Sequence, residues 1–169
     1  MTATEEKTLV LNDSQVRKKI SRMAYEIYEN NFDEKSLILA GIDGQGYVLA
    51  QLLQKELQAI GDFNCPVVKI TIDKTSPETS EVGVDTPLKE FSKKNIVMVD
   101  DVLNTGRIIT YSMKPLLSQP IKKIEVAVLV NRSHPLFPIL PKYTGYELST
   151  TLDDHIEVVL KKKFGVYLH

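Results

Sequence analysis

Asn95 to Thr110 reads NIVMVDDVLNTGRIIT, and the order of residue types in it decides the fold. Ile96 to Val99 is an unbroken apolar run rich in β-branched residues, the composition of a strand covered on both faces. Asp100 and Asp101 follow, then the apolar pair Val102 and Leu103, then Asn104, Thr105, Gly106 and Arg107. Asn-Thr-Gly can turn the chain and open a helix. A strand, an acid pair and a turn of phosphate size, in that order, form the layout of a site.

The flanking sequence alternates in the same way. Thr8 to Leu11 reads as a short strand after a polar, loose start at Met1 to Lys7. Asn12, Asp13 and Ser14 offer capping oxygens ahead of Val16, Ile20, Met23, Ala24, Ile27 and Tyr28, whose spacing of three and four predicts an amphipathic helix ending at Asn30 to Phe32. Ser36 to Ile42 predicts a buried strand, and Gly41, Gly44 and Gly46 mark a tight loop. Val48, Leu49, Leu52, Leu53 and Leu57 return to helical period, with Gly61 as a stop. Val67 to Ile72 and Ile124 to Val130 are further strands. Pro115 should end or bend the helix that starts after Gly106. Beyond Pro135 the chain is rich in Pro and Tyr, with short apolar segments such as Ile156 to Leu160.

Strands alternating with helices predict an α/β fold with a parallel twisted sheet flanked by helices and right-handed crossovers. At 169 residues the chain is the length of one domain. Ligands in such sheets bind beyond the carboxyl ends of the strands, an edge that here gathers Asp43 to Gly46, Asp100 to Arg107 and Asn131 to His134. The stretch Lys74 to Pro87, rich in Thr, Ser, Pro, Glu and Gly, is too long for an ordinary connection and reads as a mobile functional loop or hairpin.

Composition narrows the classes. Lys and Arg number 21 against 22 Asp and Glu, so no overall basic character points to nucleic acid, and any such binding needs a local patch. Arg17, Lys18, Lys19 and Arg22 make one basic stretch, whose ordinary reading is a solvated helix face because Glu26 and Glu29 follow. The single cysteine, Cys65, excludes an internal disulfide framework and reads as a small buried hydrophobe. No signal-peptide pattern and no long apolar run is present, which predicts a cytoplasmic protein without membrane association. His155 and His169 have no partners at metal-ligand spacing.

The chemistry follows from the central stretch. Backbone amides at a helix start, beside a Thr hydroxyl and a glycine, suit an anion. Two neighbouring carboxylates at the end of a buried strand repel each other unless hydroxyl donors or a cation compensate, and a sugar diol with hydrated magnesium supplies both. A diol next to a phosphate describes a ribose 5-phosphate.

VMVDDVLNTGR resembles the phosphoribosyl pyrophosphate signature of the type I phosphoribosyltransferases. More closely, the chain resembles the family of bifunctional pyrimidine operon attenuators and uracil phosphoribosyltransferases. The similarity runs through VLNDSQVRKKISRMAYEIYENN, LAGIDGQGYVLAQLLQKEL, VDDVLNTGR and AVLVNRSHPLFPILPKYTGYEL, most of residues 9 to 148. The resemblance implies a small hood over the sheet and a flexible loop at 74–87 that begins with Lys74. It implies that Asp100 and Asp101 hold the ribose hydroxyls and magnesium, directly or through water. Asn104, Thr105, Gly106, Arg107, Ile108 and Thr110 would wrap the 5-phosphate, and Asp43, Gly44, Gln45 and Gly46 would face the pyrophosphate. Val130, Asn131, Arg132 and His134 would lie against the base. Phosphoribosyl pyrophosphate and uracil are the implied substrates, with messenger RNA as a further partner and a homodimer or larger homo-oligomer as the assembly.

The chain departs from that family in places. Asp43, Gly44, Gln45 and Gly46 stand where the family has a Lys-Thr-Arg-Gly type loop, which removes two cations. Ile108 stands where a hydroxyl residue usually follows the Arg, which removes one phosphate hydrogen bond, and the sequence leaves open whether Thr110 replaces it. Asn131 replaces an Asp and Tyr146 a Lys beside the base region. Three activities therefore compete: uracil transfer, transfer to a purine or modified pyrimidine, and a nucleotide-sensing RNA-binding regulator with vestigial catalysis.

Overall fold

Residues 6–34, 36–151 and 153–169 are described by a computed structural model. Most of the polar start read as loose, residues 1–5, lies outside the described residues. Among the described residues the strands form two sheets. The larger has the order β4 (Gly83–Val84), β3 (Val67–Thr71), β2 (Leu37–Ile42), β5 (Asn95–Leu103), β6 (Lys123–Asn131), β7 (Tyr143–Glu147). Its pairings are parallel from β3 through β7, and β4 closes the edge antiparallel to β3. The smaller sheet sets β1 (Thr8–Leu11) and β8 (Ile156–Val159) on either side of β9 (Gly165–Leu168), antiparallel throughout.

Helix α1 (Asp13–Asn31) begins at a capping box in which Asn12 Oδ1 accepts from the Gln15 N–H and Gln15 Oε1 accepts from the Asn12 N–H, both at 2.9 Å. Its buried stripe, Val16, Ile20, Met23, Ala24 and Ile27, is the one the spacing predicts. Helix α2 (Gln45–Ile60) buries Leu49, Leu53 and Leu57 completely, each stabilising the fold by roughly 1.5–3 kcal/mol relative to exposure. Both helices cover one face of the large sheet, where Val97 and Val99 of β5 join a core shared with the small sheet. Ile96 and Met98 alternate to the opposite face and pack with Ile109 and Leu116. The alternation places β5 at the centre of the molecule.

Asp13 ties α1 to the small sheet. Its Oδ1 accepts from the Phe164 N–H at 2.7 Å, and this bond, with Arg17 beside it, holds the carboxyl below its usual range. The basic stretch of α1 is exposed at Arg17, Lys18 and Arg22 and also touches the fold. Arg17 lies 3.9 Å from the Phe164 ring centroid, Arg22 donates to the carbonyls of Thr144 and Gly145, and Lys19 sits over the ring of Tyr146.

A buried polar network closes the end of the sheet opposite the central turn. Asn31, fully buried, donates to the Ile27 carbonyl and to the Tyr143 hydroxyl, while Asn95 Nδ2 and Lys123 Nζ donate to its Oδ1. Tyr143 donates to Glu125 at 2.9 Å, and burial, followed by that carboxylate, raises its phenol well above the usual value. Asn31→Ala strands several of these partners. It should cost about 2–3 kcal/mol, read as a lowered urea midpoint with an unchanged m-value.

The structure corrects one boundary. Strand β5 does not stop at Val99 but continues to Leu103, its pairing with β6 running to Leu103–Asn131, so the acid pair lies inside the strand. Helix α3 (Arg107–Ser112) ends before Pro115, as expected, and Pro115 precedes a single 3₁₀ turn at Leu116–Ser118. The stretch 74–87 contains the β4 strand, so of the loop or hairpin expected there it is the hairpin, an arm on β3.

Candidate active site

The carboxyl ends of β5 and β6, with the turn that follows β5, enclose a cavity of about 420 Å³. Asp100, Asp101 and Asn104 to Ile109 line it from below, and Lys74, Arg132, His134 and His155 border it elsewhere. Asp100 is 5% exposed, and its Oδ1 accepts from the Asp101 N–H at 2.9 Å. Burial, and then the charge of Asp101, push its carboxyl well above the usual range, while Lys74 opposes the push. Asp101 is only half-buried. The pair thus joins a carboxyl resisting ionisation to one open to the cavity.

The turn that follows β5 is held in one conformation. Gly106 takes φ +85°, and a side chain there would begin 3.0 Å from Ile139 Cγ1, so both the backbone and the space select glycine. Thr105 Oγ1 accepts from the Arg107 N–H at 3.3 Å, and the Thr105 carbonyl accepts from the N–H groups of Leu136 and Phe137. Thr110 donates its hydroxyl to the Gly106 carbonyl at 2.7 Å, so it braces the turn from within α3. Ile108 packs into the core on that face. Arg107 meets Glu78 of the hairpin arm at 2.6 Å. Glu78 is held below its usual carboxylate value by its own backbone N–H and then by Arg107.

The residues read as lying against the base divide. Val130 is completely buried in the core, where a β-branched side chain of a central strand belongs, and it does not line the cavity. Asn131 Oδ1 accepts from the Ser133 N–H at 3.0 Å, shaping the turn after β6. A second pocket of about 330 Å³ lies here, bounded by Asn131, His134, Ile139 and Glu147. Arg132 spends its donors on the protein: Nε to Thr150 Oγ1 at 2.8 Å, and one terminal nitrogen to Asn104 Oδ1 at 2.9 Å. The other terminal nitrogen reaches the carbonyls of Thr151 and Asp154, each at 2.9 Å. It fastens the central turn to the segment before β8. His134 Nε2 lies 3.0 Å from the Thr150 carbonyl on the same segment.

Asp43 and Gly44 connect β2 to α2, which opens at Gln45, with Gly44 at φ +98°. Gly46 is the point of closest approach to the acid pair, since a Cβ on it would stand 2.8 Å from Asp100 Oδ1. His155, which has no ligand-spaced partner in the sequence, lines the cavity because β8 packs its start beside β5. Its ring also meets His169 edge-on at 4.9 Å between centroids. No local pattern marks it, because antiparallel pairing in the small sheet delivers it from a distance.

The phosphoribosyl transferase domain family matches residues 9–161. The chain belongs to the phosphoribosyltransferase family. Within that family, "Bifunctional protein PyrR" of Bacillus cereus is 32% identical over 169 residues, spanning 94% of this chain and 93% of that protein. The protein of the same name from Bacillus anthracis matches to the same extent. Among solved structures, a hypoxanthine-guanine phosphoribosyltransferase from Bacillus anthracis superposes with a TM-score of 0.71 at 13% identity, covering 83% of this chain and 81% of that one. The hypoxanthine phosphoribosyltransferase of Trypanosoma cruzi gives 0.72 at 13% identity over 83% and 81%. At such identities the structural likenesses establish the phosphoribosyltransferase fold and carry no argument about the base.

Magnesium fits the residues present. Among the described residues no cluster of three or more His, Cys, Asp or Glu forms a complete metal cage. Two adjacent carboxylates suit an ion that keeps water and takes further oxygens from a phosphorylated substrate.

Proposed function

We propose that the protein transfers the ribose 5-phosphate of phosphoribosyl pyrophosphate to a nucleobase, with release of pyrophosphate and with uracil as the base. The observation that carries the reading is the buried Asp100, joined to Asp101 and the Thr105–Gly106 turn around one cavity. In this reading the two carboxylates accept from the ribose hydroxyls and fix the orientation of C1. The amides and hydroxyl of Asn104 to Thr110, with Arg107, hold the 5-phosphate. A ring nitrogen of the base attacks C1 as the bond to pyrophosphate breaks, through a transition state of oxocarbenium character. The protein's part is orientation, stabilisation of the departing charge and exclusion of water. Asp100 and Asp101 would hold magnesium, directly or through water, and when bound it would supply charge neutralisation for the leaving group. The arm at 74–87 serves as a lid, and Glu78 gives up Arg107 to the incoming phosphate.

The base occupies the pocket beside Asn131 and His134. Uracil is the choice because the relatives over nearly the whole chain are the PyrR proteins, and the resemblance to the attenuator family carries that base. The chain works as one domain, in the cytoplasm, as a homodimer or larger homo-oligomer.

A pyrophosphate-release assay with a panel of bases tests the base choice. Release with uracil well above that with hypoxanthine, guanine or no base is the expected result, falling by about 10²–10³-fold in Asp101→Asn. Release with a purine alone contradicts the uracil reading.

A further inference from the structure

The segment Asp43–Gly46 carries no cation of its own. Two lysines from β3 and its exit stand around it. Lys74 brings Nζ to 3.9 Å from the point where a side chain on Gly44 would begin. Lys74 also lines the cavity with Asp100 and Asp101. On the other flank Lys69 holds Nζ 3.9 Å from Asp43 Oδ1 and 4.6 Å from the ring centroid of Tyr47. Asp43 Oδ1 accepts from the Gly44 N–H at 2.9 Å, so this carboxylate shapes the loop it sits in. Left alone, its negative charge would oppose an incoming pyrophosphate. Lys69 is placed to cancel it.

We propose that the cationic side of the pyrophosphate subsite is built from β3 and the start of the arm that follows it instead of the β2–α2 loop, with Lys74 pairing with the pyrophosphate and Lys69 neutralising Asp43. This assignment rests on the phosphoribosyltransferase reading and names the residues that complete its site. An ammonium on a long flexible stem suits the task, since it meets a multiply charged anion as a point charge and needs no fixed fork geometry. Glycine at position 44 leaves that stem room to pass. The Lys69–Asp43 pair is substantially exposed on both sides, so its contribution to folding is small and its effect falls on the charge the ligand meets.

Calorimetric titration of the intact chain with magnesium pyrophosphate, and separately with ribose 5-phosphate, tests the assignment. Lys74→Ala should weaken pyrophosphate binding by about tenfold or more while ribose 5-phosphate stays within about twofold, and Lys74→Arg should keep most of the affinity. Lys69→Ala should weaken pyrophosphate by a smaller factor, and adding Asp43→Asn should restore it. Unchanged pyrophosphate binding in Lys74→Ala, equal loss of both ligands, or no restoration in the double variant overturns the proposal. A wild-type chain that binds ribose 5-phosphate but not pyrophosphate overturns this assignment alone. One that binds neither overturns the phosphoribosyltransferase reading beneath it.

Discussion

Asp100→Asn should leave a protein that is more stable and almost inactive. The side chain is buried and lies against a second carboxylate, so its ionised form is disfavoured and its carboxyl titrates well above the usual range. A group whose folded pKa is raised is protonated at no cost at low pH. It destabilises the fold increasingly as pH climbs from the unfolded carboxyl value toward the folded one, and the full cost persists above that. Asparagine keeps an oxygen for the Asp101 N–H, the bond that Asp100 Oδ1 accepts at 2.9 Å, while removing the charge. The gain should be about 1–2 kcal/mol at neutral pH and should shrink toward zero in acid, below the unfolded value. Thermal melts of both proteins across that range check it. Transfer activity should fall by about 10²–10³-fold, because the carboxylate proposed to accept from the ribose hydroxyls is gone. A variant less stable than the parent at neutral pH would contradict the account of Asp100.

Gly46→Ala should damage stability and activity together. Helix propensity alone favours alanine by about 1 kcal/mol. Here the new methyl would lie 2.8 Å from Asp100 Oδ1, 2.9 Å from the Val99 carbonyl oxygen and 3.0 Å from Asp100 Cα. Two of these neighbours are backbone atoms of β5, the most thoroughly paired strand, so they cannot move aside cheaply. The clash should outweigh the propensity and cost about 1–3 kcal/mol net. Displacement of Asp100 should lower kcat/KM at least about tenfold. Urea denaturation and steady-state kinetics on the same preparation separate the two effects. A stabilised, fully active variant would show that α2 and the acid pair are not in contact.

The close approach at Gly46 also shows how far the sequence was readable. The glycines of the β2–α2 loop announce that backbone must come near something, but the partner, Asp100, lies more than fifty residues away and only the β2–β5 pairing brings it in. The central sheet was legible because its strands are apolar runs bounded by turn residues, and the α1 and α2 stripes keep helical period. The acid pair was legible as a site, yet its place inside β5 was not. Charged residues ordinarily end a buried strand, whereas here β6 continues beside them to Asn131.

Side chains used from a distance were the least legible. Arg132 carries the chemical type expected beside a bound base, but its partners at Asn104, Thr150, Thr151 and Asp154 take up its donors. His155 and Lys69 occupy short, ordinary segments, and the folded arrangement of β8 and β3 alone carries them to the cavity and to Asp43. The C-terminal apolar pieces, too brief to be assigned singly, become a sheet only by enclosing β9 between β1 and β8.

In the proposed function, the acid pair and the Thr105–Gly106 turn hold phosphoribosyl pyrophosphate for transfer to a base. Its most direct test is to incubate the wild-type chain and Asp101→Asn with phosphoribosyl pyrophosphate, magnesium and uracil, and to quantify nucleoside monophosphate and pyrophosphate together. The account predicts equal amounts of the two products from the wild-type chain and almost none from the variant. Equal product from both proteins, or none from either with any base, would contradict it.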